Sequence, residues 1–159
     1  MHPKTRIVLS IIGIICLFAC LGYFREFLFV NINEQLRFLW YGNEESFMSD
    51  KLSFMQDWDY WTMYSLKWIL TVAFAIVFMI CSAFALKAIL NSFYWLELGF
   101  IYFLLFSISG VIFIGYSVFA VAEDGYLISR YFMGLAQSPI PLMILIPAIF
   151  LRKNLSDKV

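Results

Sequence analysis

The sequence predicts an all-α integral membrane protein, a single domain over 1–159 built as a bundle of four transmembrane helices. Three observations predict it. Hydrophobic residues make up 63% of the 159 and the mean hydropathy is +0.84, well above the roughly 45–50% apolar content of soluble domains. Apolar stretches at about 7–24, 68–86, 98–122 and 131–151 match the roughly 20 residues a helix needs to cross a hydrocarbon core of about 30 Å. None of the four holds an Asp, Glu, Lys, Arg or His.

The first stretch, 7–24, follows Lys4 and Arg6. A cleavable signal peptide would need a small-x-small site after it, and none follows. Leu17-Phe18-Ala19-Cys20 loosely resembles a lipobox, but Phe18 is bulky for that motif and the residues after Cys20 stay apolar. The stretch reads as an uncleaved first span.

Residues 25–67 are the one long polar interruption. Leu28, Ile32, Leu36 and Leu39 fall on one helical stripe, with Glu26, Asn33 and Arg37 opposite, which predicts an amphipathic interfacial helix in this extracytoplasmic loop. Residues 41–56 are left as solvated loop. Trp58, Tyr60, Trp61, Tyr64 and Trp68 cluster where the chain re-enters lipid, at the headgroup level that Trp and Tyr favour.

The second span, 68–86, ends at Lys87, and Asn91-Ser92 marks the break before the third. Glu123-Asp124-Gly125 stops the third span. The fourth is less regular, because Pro139, Pro141 and Pro147 interrupt it. The twelve residues 140–151 are too few to cross alone, so the span has to run through the prolines as a kinked helix, its freed backbone groups re-satisfied by neighbours. The alternative is an interfacial helix at 126–137 joined to a short re-entrant segment.

The termini and the Lys87 turn hold Lys4, Arg6, Lys87, Arg152, Lys153 and Lys158 on short segments, so the positive-inside rule places both termini in the cytoplasm of a bacterial inner membrane. Small residues predict the seams: Ser10, Gly13 and Cys20 in the first span, Ala75, Ser82 and Ala85 in the second, Ser107, Gly110 and Ser117 in the third.

Several functions are excluded or left without support. A formal net charge of zero removes a basic nucleic-acid-binding surface. Cys16, Cys20 and Cys81 lie inside apolar stretches with no Cys-x-x-Cys, which removes disulfide exchange. The one histidine, His2, is at the cytoplasmic tip, so His-based acid/base or nucleophilic catalysis has no candidate across the membrane; a membrane enzyme would have only Arg25, Glu26 and Arg130 to draw on, and no catalytic residue is expected. Glu44, Glu45, Asp50, Asp57 and Asp59 are too irregularly spaced for a metal site, and neither metal nor cofactor is expected. The candidate ligand- or partner-binding residues are Arg25, Glu26, Asn31, Asn33, Arg37, Arg130 and Gln137. Ionisable groups at the membrane surface are costly unless paired, so Arg25 and Glu26 either snorkel to headgroups and pair within the protein, or converge with Arg130 and Gln137 as a ligand or partner site. Pro139, Pro141 and Pro147 would form a gate.

Tyr23-Phe24-Arg25-Glu26-Phe27-Leu28-Phe29, Tyr64-Ser65-Leu66-Lys67-Trp68, Ser129-Arg130-Tyr131-Phe132 and the run from Gln137-Ser138-Pro139 to Leu145-Ile146-Pro147-Ala148 resemble small bacterial membrane proteins that accompany exosortases, in particular the exosortase F system-associated type. The chain departs from that pattern at Val30-Asn31-Ile32-Asn33, where an aromatic-Asp-Pro turn is expected, and in its longer loop. The resemblance implies a non-catalytic partner in handling sorted surface proteins. Two functions are therefore expected: a non-enzymatic accessory subunit of an inner-membrane complex, partnered by lipid and a larger integral membrane protein; or a small lipid or apolar-solute binder or transporter gated at the fourth helix.

Overall fold

The computed structural model describes residues 3–42, 47–119 and 123–156. Among them every regular element is helical: α1 (Pro3–Tyr41), a 3-10 helix (Asp50–Met55), α2 (Tyr60–Leu90), α3 (Trp95–Phe119), α4 (Glu123–Ala136) and α5 (Ile140–Ser156). Val8–Tyr41, Tyr60–Leu90 and Trp95–Tyr116 are each long and apolar enough to cross a membrane, and α4 with α5 make a fourth if the bent pair counts as one span.

The first span does not end at Phe24 to restart as a separate interfacial helix. α1 is continuous for 39 residues, about 58 Å at 1.5 Å per residue. Arg25 and Glu26 are costly in lipid but are good helix formers, and no Gly or Pro lies between Gly22 and Gly42 to stop the helix. It stops at Gly42, whose φ of 65° is the left-handed geometry glycine adopts without strain. The Gly42 N–H donates to the Phe38 carbonyl at 2.9 Å, closing the end.

α2 begins earlier than its apolar run, at Tyr60, because Asp59 caps it. Asp59 Oδ2 accepts the N–H groups of Trp61 at 3.1 Å and Thr62 at 3.3 Å, and Thr62 Oγ1 donates to Asp59 Oδ1. The belt aromatics thereby become the first two turns of a helix, with Tyr60 stacked on Tyr64 and Tyr64 edge-on to Trp68. α2 ends where expected: Asn91 takes φ 55° and donates its N–H to Lys87 O at 2.9 Å.

The chain forms two compact units, Ala19–Phe74, and Met1–Phe18 with Ala75–Val159. In the first, Ile32 and Leu36 of α1, Met48, Leu52 and Met55 of the loop, and Met63 of α2 make a buried core. The apolar stripe of the expected interfacial helix is thus covered by the chain's own returning segment. Residues 48–55, expected as solvated loop, pack here because three of their side chains are buried.

In the second unit, Ala75, Ser82 and Ala85 of α2 are buried as the small-residue pattern predicts, and Phe18 packs on Phe78 at 5.7 Å. The α3 seam is displaced. Leu98, Tyr102, Leu105 and Ser109 are buried, whereas Ser107 and Gly110 are half-buried, and the Ser117 side chain lies outside the described residues. The expected face of the first span stays open, since Cys20 is exposed and a Cβ on Gly13 would meet nothing within 4 Å. Bulky residues at helical spacing decide the α3 face, and small residues alone do not.

Where one kinked fourth span is expected, the chain forms two helices, α4 and α5. α4 and α5 meet at 60° across residues 137–139. Ser138 Oγ donates to Leu135 O at 2.7 Å and accepts the Ile140 N–H at 3.3 Å, ending one helix and starting the next. Pro141 is buried in the first turn of α5, where its missing N–H goes unneeded. Pro147 lies inside α5, which continues to Ser156. At the other end of α5, Arg152 Nη1 reaches Glu97 Oε1 of α3 at 3.0 Å.

Candidate functional site

The candidate residues divide between the two units, and each group has its own environment. In the unit Ala19–Phe74, Arg25 is half-buried, 3.7 Å from Glu26 Oε2, with its guanidinium carbon 5.4 Å from the Phe29 ring centre. That contact shelters the charge against an aromatic face. Glu26 itself is exposed, as is Arg37, which lies 3.9 Å from Glu34 one turn back. Asn33 is half-buried.

Asn31 is 7% exposed and its amide is used internally at both ends. Nδ2 donates to Phe27 O at 2.7 Å, and Oδ1 accepts the Ser49 N–H at 2.6 Å. One turn on, Gln35 is fully buried and Nε2 donates to Gln56 O at 3.0 Å. These two amides, four residues apart on one face of α1, bracket the returning segment between Ser49 and Gln56. A buried polar group left unpaired costs about 1–3 kcal/mol, so each amide fixes the loop's register as well as its position. Sequence reading missed Gln35. Its signal was there: with Asn31 it lies beside the Ile32–Leu36 stripe, a place where two amides need a backbone to bind.

The segment so held carries exposed aromatic surface. Phe54 on the 3-10 helix is 60% exposed and edge-on to Trp58, and Trp61 is 71% exposed. Trp40, at the end of α1, is also exposed and lies 5.4 Å from Tyr60. Asp59, exposed at the start of α2, is held below the ordinary carboxylate range, chiefly by the Thr62 hydroxyl and then by the Thr62 N–H.

In the other unit, Ser109 of α3 and Ser129 of α4 are both buried. Ser109 Oγ donates to Ser129 O and Ser129 Oγ to Ser109 O, each at 2.9 Å. This clasp sets the rotation of α4, and so places Arg130 next to it on the outside of the helix. Arg130 is exposed and Gln137, with its N–H on Gly134 O at 3.1 Å, is 3% exposed. Both sit near the α4–α5 elbow, where an open groove of about 480 Å³ runs along Leu127, Arg130, Tyr131 and Leu135 to Ser138 and Ile140. Pro139 lies at the break itself. Among the described residues no three His, Cys, Asp or Glu side chains come together as a metal site.

No family model, curated protein or solved structure matches the chain.

Proposed function

We propose that this chain is a non-enzymatic accessory subunit of a bacterial inner-membrane complex, anchored by its spans with both termini in the cytoplasm. The observation that carries the reading is the segment Ser49–Gln56, which two buried amides fix to α1 while Phe54, Trp61 and Trp40 stay exposed. Aromatics on a rigid support lose little entropy on docking and are enriched at the energetic centres of protein interfaces. The partner is a larger integral membrane protein. The exosortase-associated resemblance makes surface-protein sorting or export the process in which it would serve. Arg37 would supply the polar rim of such an interface. The Arg152–Glu97 pair joins the C-terminal helix to the start of α3, which the positive-inside rule assigns to the same face of the membrane.

The test is site-specific photocrosslinking from position 54 in the native membrane, followed by purification in mild detergent. A discrete adduct with one larger membrane protein, lost when Trp61→Ala is added, is expected. A monomer with lipid adducts alone would sink the reading.

The open groove at the α4–α5 elbow favours a second reading, binding of a lipid or other apolar solute at the broken fourth span.

A further inference from the structure

The elbow groove has a definite chemical polarity. Leu127, Tyr131, Leu135 and Ile140 give it an apolar wall, and Arg130 is the one charged side chain lining it. Leu127, Tyr131 and Leu135 follow one another at four-residue spacing and Arg130 lies three residues after Leu127, so the four border one face of α4. That face ends where the chain bends by 60°. A straight helix would carry the same residues on a convex ridge; the bend turns the ridge into one side of a concavity.

The Arg130 guanidinium makes no ion pair or hydrogen bond among the described residues. Ser109 and Ser129 lock α4 against α3 directly beside it, so its position is fixed from behind. A guanidinium next to hydrocarbon, in a segment apolar enough to be half of a membrane span, calls for an anion with fork geometry to match its donors. The same anion must carry an alkyl chain to cover Tyr131 and Leu135. The groove, about 480 Å³, is shallow and open, so it would cover one side of a ligand and leave the rest to the surrounding lipid. It suits the headgroup end of one lipid and the first part of one chain.

We infer that the α4–α5 elbow is a binding site for a single anionic glycerophospholipid, its phosphate on Arg130 and its upper acyl chain along Leu127, Tyr131 and Leu135. This rests on the second reading, that the elbow binds lipid, and adds the headgroup charge and the residue that reads it.

The full chain, purified in mild detergent with equimolar phosphatidylglycerol and phosphatidylcholine, is weighed intact by native mass spectrometry. One phosphatidylglycerol is expected to be retained over phosphatidylcholine by about tenfold, the scale of one charge-assisted contact. Arg130→Gln brings the ratio to parity, Arg130→Lys leaves part of the preference, and Arg152→Gln leaves it unchanged. Helix content and elution volume establish that the variants fold. Retained lipid without headgroup preference in the wild type, or preference surviving in Arg130→Gln, overturns the inference and leaves lipid binding standing. Loss of all lipid adducts, or a dimer that carries none, removes both.

Discussion

Asn31 and Ser49 are joined by a 2.6 Å hydrogen bond from the Ser49 backbone N–H to the Asn31 side-chain oxygen, across a chain separation of 18 residues. The same amide gives its hydrogen to Phe27 O in its own helix, which fixes the rotamer and aims the oxygen at the loop. Register here comes from an amide that can bond in only one orientation, and the apolar contacts of Met48, Leu52 and Met55 follow from it.

Asn31→Leu should therefore destabilise the loop although it adds apolar surface to a mostly apolar site. The Ser49 N–H would be left buried and unpaired at a cost of about 1–3 kcal/mol. Limited proteolysis in detergent reads this directly, as faster cleavage within 47–56 and little change elsewhere. Gln35→Leu should act in the same way on the Gln56 side. Cleavage at the wild-type rate in both variants would show that the methionines hold the segment without the amides.

Ser109 and Ser129 make a different kind of pair, because each hydroxyl donates to the other residue's backbone carbonyl. The Oγ atoms are 3.1 Å apart, but each hydroxyl has already given its one hydrogen. Ser109→Ala and Ser129→Ala should each cost about 0.6 kcal/mol, the usual worth of an interhelical side-chain bond in a membrane protein. Because the two residues touch, the double variant should depart from the sum of the single costs by about 0.5 kcal/mol or more. Unfolding in rising denaturing detergent measures it, and strict additivity would mean that the two hydroxyls act independently.

Much of this was legible in the residues, and the failures have physical causes. The membrane class and the α2–α3 turn followed from hydropathy and from Asn91, whose side chain tolerates the left-handed geometry found there. The length of α1 is not legible from charge, because Arg25 and Glu26 do not end a helix; Gly42 does. The α4–α5 elbow could not be chosen over a kink from prolines alone, since both outcomes place Pro139 at a bend. The deciding group is Ser138, whose hydroxyl serves the last turn of one helix and the first amide of the next. Arg130 stood out as a cation in an apolar stretch, but the groove beside it exists only because of that bend. Asn31 was singled out for binding, and the structure shows its amide occupied by Phe27 and Ser49.

Tyr102 invites the opposite expectation to most core substitutions. It is 3% exposed on α3, and among the described residues its hydroxyl and that of Ser82 lie side by side, buried and without a well-formed hydrogen bond. Removing an unsatisfied buried polar atom while keeping the ring restores nothing to water and leaves the packing intact. Tyr102→Phe should be neutral or raise the unfolding midpoint, by up to about 1 kcal/mol, where Tyr102→Ala should lower it severely through the cavity it leaves. A clear loss of stability in Tyr102→Phe would show that the hydroxyl is bonded in the membrane.

Asp59 supplies a pH dependence whose sign is fixed by its hydrogen bonds. The Thr62 hydroxyl and the Thr62 and Trp61 amides all favour the carboxylate, so its folded-state pKa lies below the ordinary value of 3.8. A group depressed in this way stabilises the folded state fully above its unfolded pKa. The contribution is lost as pH falls from about 4 through the folded pKa. The first turn of α2 should accordingly stay capped at neutral pH and fray in acid. The Thr62 amide resonance, followed by NMR in micelles, should titrate with a midpoint below 3.8, and Asp59→Asn should abolish the step while keeping a neutral cap. Because Tyr60 stacks on Tyr64 and packs against Trp40, the fluorescence of Trp40 should change over the same interval. A Thr62 midpoint at or above 3.8 would mean that Asp59 is not the cap of α2 in solution.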